Sequence, residues 1–110
     1  AITKEEAAYS RYQHGELYID VETPLATLKQ KNVRLTSLEW AVLRVLVRNA
    51  GQVVTPRGIL QEAWGTDYGD ENDYVRTYIS RLRRKLEPKS GSPCYIVTER
   101  GIGYRLIDPE

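Results

Sequence analysis

The sequence predicts an α+β domain: a small antiparallel sheet first, then three helices, then a C-terminal β-hairpin. Three observations carry this. Leu17, Ile19 and Val21 alternate with Tyr18, Asp20 and Glu22, the period of a strand with one buried face. Val75, Ile79, Leu82 and Leu86 recur at spacings of four, three and four, which makes one apolar stripe on a helix. Strand-like and helix-like patterns are segregated along the chain, which argues against repeated βα units.

The elements follow in order. Residues 1–8, AITKEEAA, are polar and read as a frayed end or linker stub. A first strand is placed at Tyr9 to Gln13, and a second at 17–22, broken by Thr23-Pro24. Leu25 to Leu28 and Val33 to Leu35 give two more, with Lys29 to Asn32 as the polar turn between them. The domain is thus expected over 9–110, with a four-stranded sheet at 9–35, a helical core at 36–87 and the hairpin at 94–107.

Thr36 opens the first helix. Its hydroxyl can cap, and Glu39 three residues on can reach back, the pattern of a capping box. Leu38, Ala41, Val42, Val45, Leu46 and Asn49 keep helical spacing, while Trp40, Leu43 and Val47 fall on further faces, so this helix should be surrounded on several sides. Gly51 ends it. Val53-Val54 is a short extended piece. Thr55-Pro56 starts a second helix with a capping hydroxyl and a proline at the first helical position. Ile59, Leu60, Ala63 and Trp64 form its stripe, and Gly65 stops it. After a loop at 65–71, a third helix runs from about Asn72 to Leu86 and ends at Glu87-Pro88. Tyr95 to Glu99 and Tyr104 to Ile107 read as strands joined by a turn at Arg100 to Gly103.

Composition narrows the function. The 110 residues are 41% apolar and 28% charged, an ordinary globular mixture of one domain's length. The longest apolar run, Trp40 to Leu43, is far short of the roughly 20 residues of a membrane helix. No apolar segment preceded by basic residues marks a signal peptide. A single cysteine, Cys94, makes no internal disulfide, fits a reducing compartment such as the cytoplasm, and is expected as a small packed residue. The single histidine, His14, is expected on the surface or in a strand and leaves no His/Cys set for zinc. No methionine is present, even at position 1, so the chain reads as a fragment of something longer or a processed product.

The net charge of +1 hides an asymmetry. Residues 1–75 hold 8 Lys/Arg against 11 Asp/Glu, whereas residues 76–110 hold 8 against 4. A phosphate backbone feels the local field rather than the total. At 100° per residue, the face of the third helix opposite its stripe carries Asp73, Tyr74, Thr77, Ser80, Arg81 and Arg84, with Arg76, Arg83 and Lys85 toward the flanks. Hydroxyls and an arginine in this array suit base edges in a major groove, and the flanking cations suit phosphates. The hairpin adds Arg100 and Arg105 around Tyr104, and a narrow basic hairpin can reach an adjacent minor groove. A basic helix face by itself is more often simply solvated. The order of helix, turn, helix and hairpin together with the charge shifts the balance to DNA.

Four blocks in order carry a resemblance: LTSLEWAVLRVLVRNAG at 35–51, VVTPRGILQEAWG at 53–65, YVRTYISRLRRKLE at 74–87 and YIVTERGIGYRL at 95–106. Together they resemble the OmpR/PhoB-type response regulator effector domain, a winged helix-turn-helix, from about Gly15 to Ile107. The resemblance implies a four-stranded N-terminal sheet, three helices and a hairpin wing. It makes the third helix the recognition helix. Asp73, Tyr74, Thr77, Tyr78 and Arg81 match base-reading positions; Trp64 and Arg83 match phosphate-contacting ones. Thr98, Arg100 and Tyr104 match wing positions near DNA, with Arg100 at the place of a minor-groove arginine. Ser80 belongs with the base-facing set, and Arg76 and Arg84 with the backbone set, by their places on the helix. The loop holding Thr66, Asp67, Tyr68, Asp70 and Glu71 matches a segment that contacts RNA polymerase in activators of this type.

The implied partners are double-stranded promoter DNA, RNA polymerase and a phosphorylatable receiver domain preceding this module. An isolated domain of this type is expected to be monomeric and to pair on direct-repeat DNA half-sites. Tyr74, Arg76 and Tyr78 are similar to the potassium-responsive KdpE subgroup. Three departures stand out. Asp73 is an acid where some relatives carry a base, and could accept from cytosine N4 or favour the helix N-terminus. Ser80 replaces a frequent arginine. The turn at 29–32 lacks the usual glycine.

Other constellations give less. The acids at Asp67, Asp70, Glu71 and Asp73 lack the alternation and closing bidentate Glu of a calcium loop. Gly101-Ile102-Gly103 lacks the third glycine and following helix of a dinucleotide loop and reads as a hairpin turn. No nucleophile–base pair, metal set or phosphate-cradling loop emerges, so neither an enzyme nor a cofactor is expected. The alternative to DNA binding is a protein-interaction module on the same frame with vestigial DNA affinity, in keeping with the low net charge and Ser80.

Overall fold

A computed structural model describes residues 10–65, 72–87 and 95–109. Strands β1 (Arg11–His14), β2 (Leu17–Asp20), β3 (Leu25–Leu28) and β4 (Lys31–Asn32) form one antiparallel sheet in sequence order. Helices α1 (Ser37–Arg48), α2 (Pro56–Trp64) and α3 (Asn72–Leu86) follow, and β5 (Ile96–Glu99) pairs with β6 (Gly103–Leu106) as the hairpin. No helix among the described residues is long and apolar enough to cross a membrane.

The register explains which sheet face is buried. Tyr12 lies opposite Ile19, and Ile19 opposite Ala26, so these three side chains form one row across the sheet. All are buried, and with Leu17 they pack onto the core built by Val42, Leu43 and Leu46 of α1 and Ile59 and Leu60 of α2. Tyr12 also donates its hydroxyl to the Ile107 carbonyl at 2.9 Å, and His14 Nδ1 lies 2.8 Å from the Asp108 carbonyl oxygen. These bonds tie the segment after the wing back to the first strand.

The fourth strand differs from the sequence expectation. Val33 to Leu35 is not a strand; β4 is only Lys31–Asn32, and the turn is confined to Lys29 and Gln30. Both turn residues have positive φ, 53° and 67°. That is the geometry of a two-residue hairpin turn, made here without the Asn-Gly or Gly that ordinarily relieves it. Val33 still donates its N–H to Ala26, but the chain then leaves the sheet so that Thr36 can cap α1. The apolar alternation of Val33 and Leu35 therefore serves packing against the core from irregular backbone. The first strand runs over Arg11–His14, so it leaves out Ser10 and takes in His14; Tyr9, where the sequence places its start, lies outside the described residues.

Capping chemistry sets the helices. Thr36 Oγ1 accepts from the Glu39 N–H at 3.2 Å, and Glu39 Oε1 accepts from the Thr36 N–H at 2.8 Å, so both halves of the capping box are present. Thr55 Oγ1 accepts from the Gly58 N–H ahead of Pro56. On α1, Val42, Leu43, Val45, Leu46 and Val47 are buried, as expected of a helix surrounded on several sides, but Leu38 is exposed and Trp40 only half-buried. Glu39 takes the buried first-turn position instead.

A backbone bridge joins the hairpin to the helical core. Val54 and Tyr104 exchange both N–H···O bonds, at 2.8 and 3.0 Å. Gly103 is buried against this bridge, and a Cβ there would collide with the Val54 carbonyl. A glycine is required by that close approach.

Candidate nucleic-acid interface

Helix α3 is amphipathic in the predicted sense. Val75, Ile79, Leu82 and Leu86 are each at most 1% exposed, packed in the core shared with α1 and α2. On the other side Asp73, Thr77, Ser80, Arg81 and Arg84 are exposed, as is Arg76 on the flank. Neither the sheet nor the hairpin, among the described residues, covers this outward face. Thr77 donates its hydroxyl proton to the Asp73 carbonyl at 2.8 Å, one turn back, which leaves its oxygen to accept. Asp73 sits in the first turn, where a negative charge is favoured by the helix dipole.

Three aromatic residues of the predicted site, Trp64, Tyr74 and Tyr78, are gathered at one end of this face. Trp64, the last residue of α2, is half-buried. It stacks on Tyr74 at 6.1 Å with 23° between planes, and meets Tyr78 edge-on at 5.2 Å and 67°. Tyr74 remains 45% exposed, whereas Tyr78 is half-buried. The Arg81 guanidinium carbon lies 4.9 Å from the centre of the Tyr78 ring.

The cations of α3 divide into two groups that periodicity alone does not separate. Arg76, Arg81 and Arg84 face solvent. Arg83 reaches the hairpin: its Nε and Nη2 donate to the Ile96 carbonyl at 3.2 and 3.1 Å, and Nη2 also donates to Thr98 Oγ1. Its guanidinium lies 5.9 Å from the Tyr104 ring centre. Lys85 turns inward and meets Glu39 Oε1 at 2.6 Å. The Glu39 side chain is 2% exposed. Burial, the largest single influence, raises its pKa; the hydrogen bond and charge of Lys85 and the bonds from Thr36 outweigh it, so the carboxyl sits below its ordinary value.

In the hairpin, Thr98 and Arg100 are exposed, Arg100 in the turn beside Gly101 and Ile102. Tyr104 is half-buried by its bridge to Val54. Arg105 is neutralised by Glu99 across the strand pair at 2.9 Å, so Arg100 is the solvent-facing arginine of the hairpin. The segment with Thr66, Asp67, Tyr68, Asp70 and Glu71 lies outside the described residues, as does Cys94. Among the described residues no group of three His, Cys, Asp or Glu is placed to hold a metal ion.

The structure therefore links Trp64, Tyr74, Tyr78 and Arg81 in one chain of ring contacts, leaves Thr77 exposed on the same helix face, and sets Arg83 and Thr98 in mutual contact between helix and hairpin. Two features were missed in the sequence. The Glu39–Lys85 pair spans 46 residues, and the capping box disclosed only the local half of what Glu39 does. The clasp of Arg83 on β5 had no local signal.

The model of a family described as "Transcriptional regulatory protein, C terminal" matches residues 30–106. The transcriptional regulatory protein KdpE of Mycobacterium tuberculosis is 45% identical over 74 residues, which is 67% of this chain and 33% of that protein. Response regulator DrrB of Thermotoga maritima, described as an OmpR/PhoB homolog, superposes with a TM-score of 0.77 at 34% identity, over 89% of this chain and 44% of that one. The RstA DNA-binding domain of Klebsiella pneumoniae, solved in complex with its RstA box, superposes with a TM-score of 0.75 at 31% identity, over 88% and 96%. The chain spans about a third to a half of the length of the curated relatives it matches.

Proposed function

The chain belongs to the family of OmpR/PhoB-type transcriptional regulatory C-terminal domains, and on that premise we propose that it is the sequence-specific, double-stranded-DNA-binding effector domain of a bacterial two-component response regulator. Helix α3 enters the major groove and the β5–β6 wing lies at the adjacent minor groove. The observation that carries this is the open outer face of α3, with Thr77 and Arg81 exposed beside a wing that ends in exposed Arg100.

Roles follow from geometry. Arg81 offers in-plane donors for guanine O6 and N7, and Thr77 and Ser80 offer small adaptable groups to neighbouring bases. Asp73 and Tyr74 stand at the N-terminal end of the helix, where a recognition helix approaches base edges. Arg76 on the flank and Arg84 near the C-terminal end of the outward face neutralise phosphates. Arg83 has five N–H donors, of which the clasp to Ile96 and Thr98 uses those on Nε and Nη2, leaving Nη1 for a phosphate oxygen. The Trp64 indole N–H is a further phosphate donor. Thr98 and Tyr104 line the wing side, and Arg100 inserts into the minor groove, where potential is most negative when the groove is narrow.

The segment 66–71 is assigned to contact with RNA polymerase by family resemblance. The same resemblance assigns a phosphorylated receiver domain upstream in the intact protein, pairing of two effector domains on direct repeats, and a cytoplasmic setting. Residues 9–110 act as one folding unit in this reading.

The test is selection of bound duplexes from a random pool, followed by salt titration. DNA binding through phosphates predicts a log–log slope of about −0.9 per phosphate contact. Arg81→Ala should cost about 1–3 kcal/mol on the selected duplex and relax preference at one base pair. Equal affinity for selected and scrambled duplexes at matched salt would overturn the assignment, and no binding even at low salt would return the chain to a protein-interaction role.

A further inference from the structure

Resting on the reading of α3 as the recognition helix, we propose that Tyr78 is a positioning residue for Arg81 rather than a DNA contact. Its ring fixes the guanidinium in the orientation that reads a base, and Trp64 fixes the ring.

The geometry has three parts. Tyr78 and Arg81 are three residues apart on α3, so their side chains lie over one another on the same face. The guanidinium carbon is 4.9 Å from the ring centre, within cation–π range. Tyr78 is in turn braced by the edge-on contact to Trp64 at 5.2 Å, and Trp64 also stacks on Tyr74 at 6.1 Å. Arg81 itself has no hydrogen-bond or ion-pair partner among the described residues. An exposed arginine on a helix otherwise samples many rotamers and must surrender them on binding.

A cation–π contact suits the task because a guanidinium laid flat on a ring engages it through its π face alone. The in-plane N–H donors, which make the bidentate bond to guanine, stay free. A carboxylate partner would hold Arg81 as firmly but would consume those donors and neutralise the charge. The half-burial of Tyr78 completes the argument: its body is committed to Trp64, and the exposed aromatic on this face is Tyr74.

The experiment uses the 110-residue chain and a duplex selected by the wild-type chain from a random pool, with a scrambled duplex as reference. Tyr78→Phe keeps the ring and should hold the ratio of selected to scrambled affinity within about twofold. Tyr78→Leu should lower that ratio by roughly tenfold, in the range set by cation–π strength, while leaving the salt slope unchanged because no phosphate contact is lost. In an Arg81→Ala background the same Tyr78→Leu change should have no further effect. Should Tyr78→Leu unfold the chain, replacing Tyr78 with phenylalanines carrying increasing numbers of ring fluorines provides the second measure. Fluorination drains the ring face of negative charge, so the affinity ratio should fall stepwise. The proposal is overturned if Tyr78→Phe loses as much as Tyr78→Leu, which would make the hydroxyl a DNA contact, if the effect persists without Arg81, or if fluorination changes nothing. A wild-type chain with no preference between the duplexes would instead remove the DNA-reading role itself, and this proposal with it.

Discussion

Replacing Lys85 with methionine removes the cation that faces the buried Glu39 carboxylate. Methionine keeps the length and apolar stem of lysine and removes the ammonium. The Glu39 carboxylate, 2% exposed, would keep the Thr36 N–H at 2.8 Å and lose Lys85 at 2.6 Å. Breaking a fully buried pair costs about 3–5 kcal/mol. Lys85 is 36% exposed, so solvent screens part of that. A hydrogen bond to a charged group is worth about 1.5–3 kcal/mol, and about 2 kcal/mol is the value expected for Lys85→Met. An unfolding entropy of about 2.1 cal/mol/K per residue gives roughly 0.23 kcal/mol/K for this chain, so Tm should drop by about 9 °C at pH 7.

The pH dependence gives a second handle. The Glu39 carboxyl is held below its ordinary 4.5 in the folded protein, so its contribution is fully present above that pH and fades as pH falls through the lower folded value. In Lys85→Met burial acts without its main counterweight, and the carboxyl titrates upward. The gap between wild type and variant should therefore be widest near neutrality and narrow below pH 4. Calorimetric melts across pH 3–7 measure it. A Tm change under 2 °C at pH 7, or a gap that stays constant down to pH 3, would refute the reasoning.

Three further outcomes are expected. Arg83→Lys replaces a fork with a point charge and should release the wing, with about 1 kcal/mol lost and faster amide exchange over Ile96–Leu106, while amides of α1 stay protected; unchanged wing protection would count against the clasp. Combining Lys29→Asn with Gln30→Gly supplies the residues that tolerate positive φ at 53° and 67°, and should raise stability by about 1 kcal/mol, read as a Tm about 4 °C higher; a lower Tm would show that the turn is not strained. Gly103→Ala drives a Cβ into the Val54 carbonyl, and should cost about 2 kcal/mol or more and weaken DNA binding along with the fold, whereas an unaffected melt would mean the bridge yields freely.

What the sequence disclosed is local chemistry. Thr36 with Glu39, and Thr55 with Pro56, mark helix starts because capping involves residues three apart. The stripe from Val75 to Leu86 fixed the outward face of α3 because helical geometry alone determines it. The fourth strand was misplaced because Lys29 and Gln30 adopt a backbone that their residue types seldom signal. The site was legible as a face but not as individual roles. Arg81 and Arg83 are two residues apart and equally basic, yet one looks outward over Tyr78 and the other is bound to β5. That distinction depends on where the hairpin lies, 13 residues further along.

The attachment of β5 to α3 through Arg83, together with the Val54–Tyr104 bridge, makes helix and wing a caliper with its jaws set in advance. A duplex gripped at both jaws has to match their separation, and any mismatch in groove width is charged to the DNA as deformation. Base steps that bend or narrow cheaply would then be favoured at positions no side chain reaches, so the preferred binding sequence should extend beyond the bases lying under Thr77 and Arg81.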